Sequence, residues 1–185
     1  MREIEIKARV LDRASLLDVL TSKSIDLSDP ITQHDEVYGE PGINGGDENS
    51  AAWLRIRTET KNGNTVQILT LKKSVTNQMD SIEHETIIGN SDEMKKIIHH
   101  LGYEPYSDIT KTRQKAMIGG IEICVDEVAP LGVFIEAEKL TEEDADYEIV
   151  ARELWELLES FGITKDSHVT DGYDVLMRRH DGLQG

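Results

Sequence analysis

Repeated alternation of apolar and charged residues is the feature that most constrains the fold of this chain. Between Glu3 and Val10 every second residue is apolar, and the residues between them are charged. Successive side chains of a β-strand point to opposite faces of a sheet, so this period of two predicts a strand with one apolar face and one charged face. Several later segments repeat the pattern, and Gly119-Gly120 joins two of them as a tight hairpin.

Other segments complete an alternation of strands with helices. The strands are expected at residues 3–10, 32–38, 52–58, 65–73, 82–88, 108–117, 121–127 and 132–139. The helices are expected at residues 12–20, 91–101, 141–161 and 173–179, where apolar residues recur at helical spacing. Many short antiparallel strands with helices between their groups predict an α+β chain built on a barrel or a strongly curved sheet.

The length of the chain limits the number of domains. A chain of 185 residues is long enough for one domain of ordinary size. We find no internal repeat and no linker long enough to divide it, so residues 1–180 are expected to form a single domain. Residues 181–185 are expected to be a flexible tail.

The balance of charges excludes some partners. The 20 lysine and arginine residues stand against 36 aspartate and glutamate residues, which gives a formal net charge of −16. A general nucleic-acid binder needs a broad basic surface, and anionic membranes also attract basic proteins, so no nucleic acid and no membrane partner is expected. The sequence has no apolar run of about 18 residues, and its first residues are charged where a secretion signal is apolar. One cysteine, Cys124, allows no internal disulfide and favours the cytoplasm.

The charged faces of the strands are sorted by sign. Acidic pairs occupy the first, fifth and last strands, and basic residues occupy the strands between them. One interpretation is the solvated outer face of a half-buried sheet. If the sheet closes, however, this face lines a lumen in which phosphate oxygens can bind to the basic side chains and Mg²⁺ or Mn²⁺ to the carboxylates. The residues on this face are Glu3, Glu5, Lys7, Arg55, Arg57, Lys72, Glu83, Glu85, Lys111, Arg113, Asp126, Glu136 and Glu138.

The sequence resembles the CYTH family, the triphosphate tunnel metalloenzymes, over residues 2–177. The most specific element is Glu3-Ile4-Glu5-Ile6-Lys7, which matches the family's Glu-x-Glu-x-Lys signature. Further elements follow in the family's order, and their order and spacing make the set specific. They are Gln33-His34-Asp35, Leu54-Arg55-Ile56-Arg57, Leu69-Thr70-Leu71-Lys72, Glu83-His84-Glu85, Lys111-Thr112-Arg113, Asp126-Glu127-Val128 and the segment 131–138.

The resemblance implies a fold and a set of site residues. The fold is an eight-stranded antiparallel β-barrel, open as a tunnel, with flanking helices; the family also suggests a homodimer. The metal ligands that it implies, for Mg²⁺ or Mn²⁺, are Glu3, Glu5, Glu136 and Glu138. The residues that it implies for triphosphate binding are Lys7, Arg55, Arg57, Lys72, Lys111 and Arg113. The catalytic residues that it implies are Lys7, Lys72 and Asp126, with Asp126 assisting at the metal site.

Three functions are compatible with such a tunnel. The overall length and the compact hairpin at Gly119-Gly120 resemble the short branch of class IV adenylate cyclases, so conversion of ATP to cyclic AMP and pyrophosphate is placed first. Hydrolysis of inorganic tripolyphosphate or thiamine triphosphate would use the same tunnel. A non-catalytic module that binds triphosphate or polyphosphate would tolerate loss of the acidic set, and the presence of all four glutamates favours an enzyme.

Four further features carry weaker expectations. The glycine-rich segment 39–50 is interpreted as a mobile loop, with a lid over one tunnel entrance as the alternative. Packing at the rim is favoured for Trp53 over stacking on a base. Tyr173 either reaches the tunnel mouth or packs in the core. Cys124 is expected to be a packed small residue.

Overall fold

The computed structural model describes residues 2–42 and 52–183. Its strands are β1 Arg2–Val10, β2 Ile31–Gly39, β3 Ala52–Lys61, β4 Asn64–Asn77, β5 Asp80–Ile87, β6 Glu104–Ile118, β7 Ile121–Ala129, β8 Gly132–Thr141 and the short β9 His168–Val169. Its helices are α1 Arg13–Ser22, α2 Ser91–His100, α3 Tyr147–Glu159 and α4 Tyr173–His180. None of the helices in the described ranges is long and apolar enough to cross a membrane.

Eight of the strands close into an antiparallel barrel. The order is β5-β4-β3-β2-β6-β7-β8-β1, and β1 pairs back onto β5. The pairing of β1 with β5 that closes the barrel is short, since it extends only from Arg2 opposite Ile82 to Ile4 opposite Asp80. The short β9 then pairs with β1 at Lys7 and Ala8. The predicted α+β class and eight-stranded antiparallel barrel are therefore confirmed.

The main apolar core lies outside the barrel wall, between the strands and the helices. Ile4 and Ile6 of β1 share one buried cluster with residues of α1 and α3, including Leu20 and Leu154. On another side, Ile56 packs with Ile98 of α2 in a separate cluster. Because the helices take up the apolar faces of these strands, the charged faces of the same strands are directed into the lumen.

One part of the lumen is apolar. Val37, Ile109 and Phe134 lie two residues from charged lumen positions on their own strands, and they pack with Tyr173 and Met177 of α4. Side chains two apart on a strand share a face, so α4 inserts its apolar side chains into the barrel. This helix therefore fills part of the lumen and leaves the charged part as a cavity.

The predicted helices and the eight barrel strands agree with the structure in order and type, but three boundaries differ by four residues or more. Strand β4 extends to Asn77 and β6 already begins at Glu104. The helix expected from residue 141 begins at Tyr147, because Thr141 still belongs to β8 and Asp146 caps α3. The Asp146 carboxylate accepts hydrogen bonds from the backbone amides of Glu148 and Ile149, at 2.9 and 3.3 Å. Glu142, Glu143 and Asp144 therefore lie in the connection before the helix.

Two other expectations fall partly on residues that the structure does not describe. Gly39 ends β2, and residues 43–51 of the segment interpreted as a loop or lid lie outside the described residues. Of the expected tail, residues 184–185 also lie outside them.

Candidate functional site

The lumen contains a cavity of ≈ 490 Å³ whose lining is charged. It brings together ten of the eleven residues that the sequence singles out for metal, triphosphate or catalysis. Asp126 is the eleventh, and it lies fully buried behind Lys111 and Arg113 without lining the cavity. The ten lining residues are Glu3, Glu5, Lys7, Arg55, Arg57, Lys72, Lys111, Arg113, Glu136 and Glu138.

The acidic wall is the side of the cavity formed by Glu3, Glu5, Glu136 and Glu138. The register of β1 against β8 determines which of its side chains lie opposite each other. Glu5 lies opposite Glu138, and Lys7 lies opposite Glu136. Side chains directly opposite each other on one face of an antiparallel pair are about 4.5–5.5 Å apart at Cβ, so this register brings two like charges and one opposite pair together. The alternation in each strand predicts the face, whereas the register decides which charges meet.

Three carboxylates meet at this wall, and we call them the carboxylate trio. Glu5, Glu136 and Glu138 each offer an oxygen atom within 4.8 Å of the others. Glu3, the fourth predicted metal ligand, lines the same cavity but is not part of the trio. Clustered carboxylate oxygens are the donors that hard divalent cations such as Mg²⁺ and Mn²⁺ prefer.

Crowding and burial change the acidity of these carboxylates. Burial, and then the charges of Glu83 and Glu5, raise the pKa of Glu3 to about 7. Burial, together with Glu3 and Glu136, also raises the pKa of Glu138 well above its ordinary value. Burial acts in the same direction on Glu136, but the nearby Arg113 and Lys7 cations hold its pKa well below the usual range. At Glu3 and Glu138, burial and the neighbouring carboxylates thus outweigh the effect of the nearby cations.

Arg113 neutralises much of the acidic wall. Its guanidinium donates hydrogen bonds to Asp126 at 2.7 and 2.6 Å, to Glu138 at 3.1 Å, and to Glu136. Lys111 adds a pair with Asp126 at 3.1 Å. The Asp126 carboxylate therefore contacts two cations and fixes their positions from behind.

Lys7 belongs to the same network. Its Nζ lies 3.2 Å from a Glu5 oxygen and 3.2 Å from Glu136 Oε1. Burial opposes the charge on Lys7, but Glu5 and Glu136 raise its pKa. This lysine is charged, almost fully buried and held between two members of the trio.

A second group of ion pairs lines β2 to β5. Arg57 pairs with Asp35 through two hydrogen bonds of 2.7 Å. Lys72 pairs with Glu83 at 3.0 Å. Arg55 donates a hydrogen bond of 3.1 Å to Glu85, whose side chain is half exposed. All of these cations face the cavity, so an anion that enters can exchange places with their carboxylate partners.

Several residues of the lumen have contacts or roles that the sequence does not predict. Glu83 is expected on the charged face and Asp35 within a motif, but their pairing with Lys72 and Arg57 depends on strand register. Tyr173 was noted without a role, and Asp174, which also lines the cavity, was not noted at all. A carboxylate at the first turn of a short helix is an ordinary helix-start signal, so nothing in the sequence distinguishes Asp174.

Cys124 lies beside a second carboxylate pair. Its Sγ and one oxygen each from Glu122 and Glu138 lie within 4.8 Å of one another. Burial, and then Glu138, raise the pKa of the Cys124 thiol, so it stays protonated, and Glu122 pairs with Lys115 at 2.7 Å. The buried thiol agrees with the expectation of a packed small residue.

A further buried ion pair lies outside the cavity, where β1 and β5 meet to close the barrel. Arg2 donates to both oxygens of Asp80, at 2.7 and 2.9 Å, and to the backbone carbonyls of Glu143 and Ala145. This pair ties β1 to β5 and to the connection before α3. It was not foreseen from the sequence, since it requires knowledge of which strands meet.

Comparison with known proteins agrees with this architecture. Residues 1–173 match the family model described as CYTH domain. A protein of Methanocaldococcus jannaschii named "Putative adenylate cyclase MJ0240" is 27% identical over 175 residues, which cover 94% of this chain and 97% of that protein.

Solved structures share the fold at low identity. The PH1819 protein of Pyrococcus horikoshii OT3 superposes with a TM-score of 0.82 at 24% identity, over 96% of this chain and 99% of that one. A protein of Hippeastrum, described as a "putative adenylyl cyclase" with a dominant triphosphatase activity, superposes with a TM-score of 0.61 at 16% identity. That match covers 100% of this chain and 98% of the other.

Proposed function

The chain belongs to the CYTH domain family, and we propose that it is a metal-dependent enzyme that converts ATP to cyclic AMP and pyrophosphate in the charged lumen of its barrel. One observation carries the proposal: six basic side chains and the carboxylate trio face the same ≈ 490 Å³ cavity. Such a cavity offers a polyanion its cations and a divalent metal its oxygen ligands at adjoining positions.

The basic residues would hold the triphosphate. Lys7, Lys111 and Arg113 approach from the side of the trio, and Arg55, Arg57 and Lys72 from the opposite group of ion pairs. Each of them contacts a carboxylate in the structure, so binding is an exchange of partners in which phosphate oxygens replace carboxylate oxygens. The buried Asp126 would act as a positioning residue, since it contacts Lys111 and Arg113 and not the cavity.

The donor set of the trio fits a divalent cation. Glu5, Glu136 and Glu138 supply oxygen atoms close enough to share one ion, and Glu3 lies in the same cavity. The raised pKa values of Glu3 and Glu138 fit this assignment, because burial and neighbouring carboxylates disfavour their charge and a bound cation would stabilise it. A bound cation would stabilise the negative charge that develops on the phosphate oxygens during the reaction.

In the proposed reaction the ribose 3′-oxygen of ATP forms a bond to the α-phosphorus, and the bond from that phosphorus to the bridging oxygen breaks. The proton of the 3′-hydroxyl passes to solvent water, and pyrophosphate leaves with the electron pair of the broken bond. Lys7 and Lys72 are proposed as catalytic residues because they carry fixed positive charge on two sides of the cavity. Their role is to hold the phosphates in line and to stabilise the charge on the leaving group.

Hydrolysis is the second candidate function. The Hippeastrum protein, which is described as having a dominant triphosphatase activity, matches this chain over its full length. If water attacks in place of the 3′-hydroxyl, the same cations and trio would serve a tripolyphosphatase or a thiamine triphosphatase. A module that only binds triphosphate is a third outcome for the same experiment.

The experiment is a product analysis with three substrates. The purified protein is incubated with ATP, tripolyphosphate or thiamine triphosphate, each with Mg²⁺ or Mn²⁺, and the products are separated by anion exchange. Cyclic AMP together with pyrophosphate would support the cyclase. Orthophosphate from tripolyphosphate or thiamine triphosphate without cyclic AMP would replace it by the phosphatase, and tight binding without any product would leave a binding module.

A further inference from the structure

Tyr173, the first residue of α4, packs between two cations of the lumen. The Lys7 ammonium lies 4.3 Å from the centre of its ring, and the Lys111 ammonium lies 4.9 Å from it. The edge-on ring of Phe134, 5.1 Å away, holds Tyr173 from another side. An ammonium group near an aromatic face is attracted by the negative charge of that face, more strongly where water is excluded. Lys7 is 2% exposed and Lys111 4%, so this condition is met.

The hydroxyl group of Tyr173 is buried close to Glu136, but it makes no hydrogen bond of good geometry to the described residues. A buried donor without a partner is energetically costly, so such groups are uncommon in stable proteins. Burial, and then the Glu136 and Asp126 carboxylates, raise the pKa of the phenol well above its ordinary value. The hydroxyl therefore keeps its proton and remains a hydrogen-bond donor.

Glu136 is the carboxylate whose charge raises the pKa of this hydroxyl most, but each of its two oxygens already contacts a cation. Lys7 takes Oε1 at 3.2 Å, and Arg113 donates to Oε2. On the proposed function, a bound triphosphate draws Lys7 towards its own oxygens. Glu136 then loses one of its two cations while it remains buried, and the neighbouring Tyr173 hydroxyl is a donor that can replace it.

We propose that Tyr173 is a positioning residue for the triphosphate and metal sites. Its ring holds the ammonium groups of Lys7 and Lys111 in place before an anion arrives, and its hydroxyl donates to Glu136 once Lys7 has turned to the phosphate. Tyr173 needs no contact with the substrate in this role. The inference rests on the proposed function, because it concerns the same cations and the same trio.

The test separates the ring from the hydroxyl with two variants. Tyr173→Phe keeps the ring and removes only the donor, and Tyr173→Leu removes both. Calorimetry measures the Kd of the non-hydrolysable imidotriphosphate, first with EDTA and then with Mn²⁺. The ratio of the two Kd values reports how strongly the metal and the anion bind together, and it does not depend on turnover.

The two variants should differ in a defined way. With EDTA, Tyr173→Phe should bind within about twofold of the wild type, whereas Tyr173→Leu should bind about tenfold more weakly, which corresponds to about 1.4 kcal/mol for two cation–π contacts. Mn²⁺ should lower the Kd of the anion in the wild type. In Tyr173→Phe the ratio of the Kd in EDTA to the Kd with Mn²⁺ should be about tenfold smaller, because groups that orient metal ligands typically contribute about 10–100-fold to metal affinity.

Tyr147→Leu is the matched control, because Tyr147 packs in the cluster outside the barrel. It should leave both Kd values unchanged. Wild-type behaviour of Tyr173→Phe with Mn²⁺ would overturn the role of the hydroxyl, and wild-type affinity of Tyr173→Leu with EDTA would overturn the role of the ring. If Tyr173→Leu does not fold, the Phe variant still decides the hydroxyl. Absence of binding by the wild type would overturn the proposed function itself.

Discussion

Arg57 donates two hydrogen bonds of 2.7 Å to the two carboxylate oxygens of Asp35, its direct neighbour across β2 and β3. Although burial favours the protonated acid, the Arg57 cation lowers the pKa of Asp35, so the pair is fully ionised. A two-point contact of this kind fixes the plane of the guanidinium as well as its charge. Asp35 thus presents Arg57 to the lumen in one orientation.

Breaking this pair should destabilise the barrel. In Asp35→Ala the guanidinium of Arg57 stays buried without its partner, and removal of one member of a buried pair typically costs about 3–5 kcal/mol. We expect a loss of this size in the free energy of unfolding, measured by urea denaturation at neutral pH. Glu85→Ala is the control: Glu85 pairs with Arg55 but its side chain is half exposed, so the loss should stay below about 1 kcal/mol. Equal losses in the two variants would contradict the assignment.

A change in the carboxylate trio should separate turnover from binding. In Glu5→Gln the trio loses one charged oxygen ligand, so we expect turnover to fall to the detection limit with Mg²⁺ or Mn²⁺. The same change removes a negative charge that lies 3.2 Å from Lys7 Nζ, so tripolyphosphate binding in EDTA should be unchanged or tighter. Product analysis and calorimetry measure the two effects.

The control for that variant is Glu127→Gln, since Glu127 is exposed and lies next to Asp126 on the opposite face of β7. It should keep wild-type turnover. Normal turnover of Glu5→Gln would remove the trio from the metal site.

The sequence predicts the faces of the strands, whereas the contacts between them depend on register. Alternation along β1 is enough to predict that Glu3, Glu5 and Lys7 share a face. That Glu5 opposes Glu138 while Glu3 opposes Leu140 follows from the register of β1 against β8, which no local pattern encodes. For the same reason Glu3 was grouped with the trio on resemblance alone, although it lies outside it.

How deeply a residue lies within the lumen cannot be predicted from the sequence either. Asp126 has the same inward alternation as its neighbours, but it lies behind Lys111 and Arg113 and has no exposure to the cavity.

The insertion of α4 into the barrel depends on how the last part of the chain folds back along β1. The residues of α4 give a helix pattern without indicating where that helix docks, and this is why Tyr173 remained undecided.

The raised pKa of Glu3 predicts a pH-dependent stability. The pKa of Glu3 rises from 4.5 to about 7 on folding, so the native state binds this proton more tightly than the unfolded state. This contribution is present below 4.5 and is lost as the pH rises through about 7. In Glu3→Gln the side chain cannot ionise. The variant should therefore be more stable than the wild type at pH 8 without metal, with an advantage that shrinks towards pH 4.

Thermal unfolding in EDTA across this pH range measures the difference between Glu3→Gln and the wild type. Taking the difference removes the effects of other titrating groups that both proteins share. A difference that does not change with pH would show that Glu3 titrates near its ordinary value in the folded protein. Glu127→Gln is the control and should give a difference that does not change with pH, because the Glu127 side chain is exposed on the outer face of β7.

Replacement of Arg113 should make the protein depend on a divalent cation. Arg113 forms ion pairs with Asp126, Glu136 and Glu138 at once. In Arg113→Gln these carboxylates lose a shared positive charge, and the metal-free protein should unfold at a clearly lower temperature. A cation bound at the trio restores part of that charge, so Mn²⁺ should raise the Tm of Arg113→Gln more than that of the wild type.

Arg55→Gln is the control, because the Glu85 carboxylate beside Arg55 is half exposed and water can solvate its charge. Mn²⁺ should raise the Tm of Arg55→Gln only as much as that of the wild type. Equal increments in Arg113→Gln and Arg55→Gln would mean that the cation does not bind beside Glu136 and Glu138.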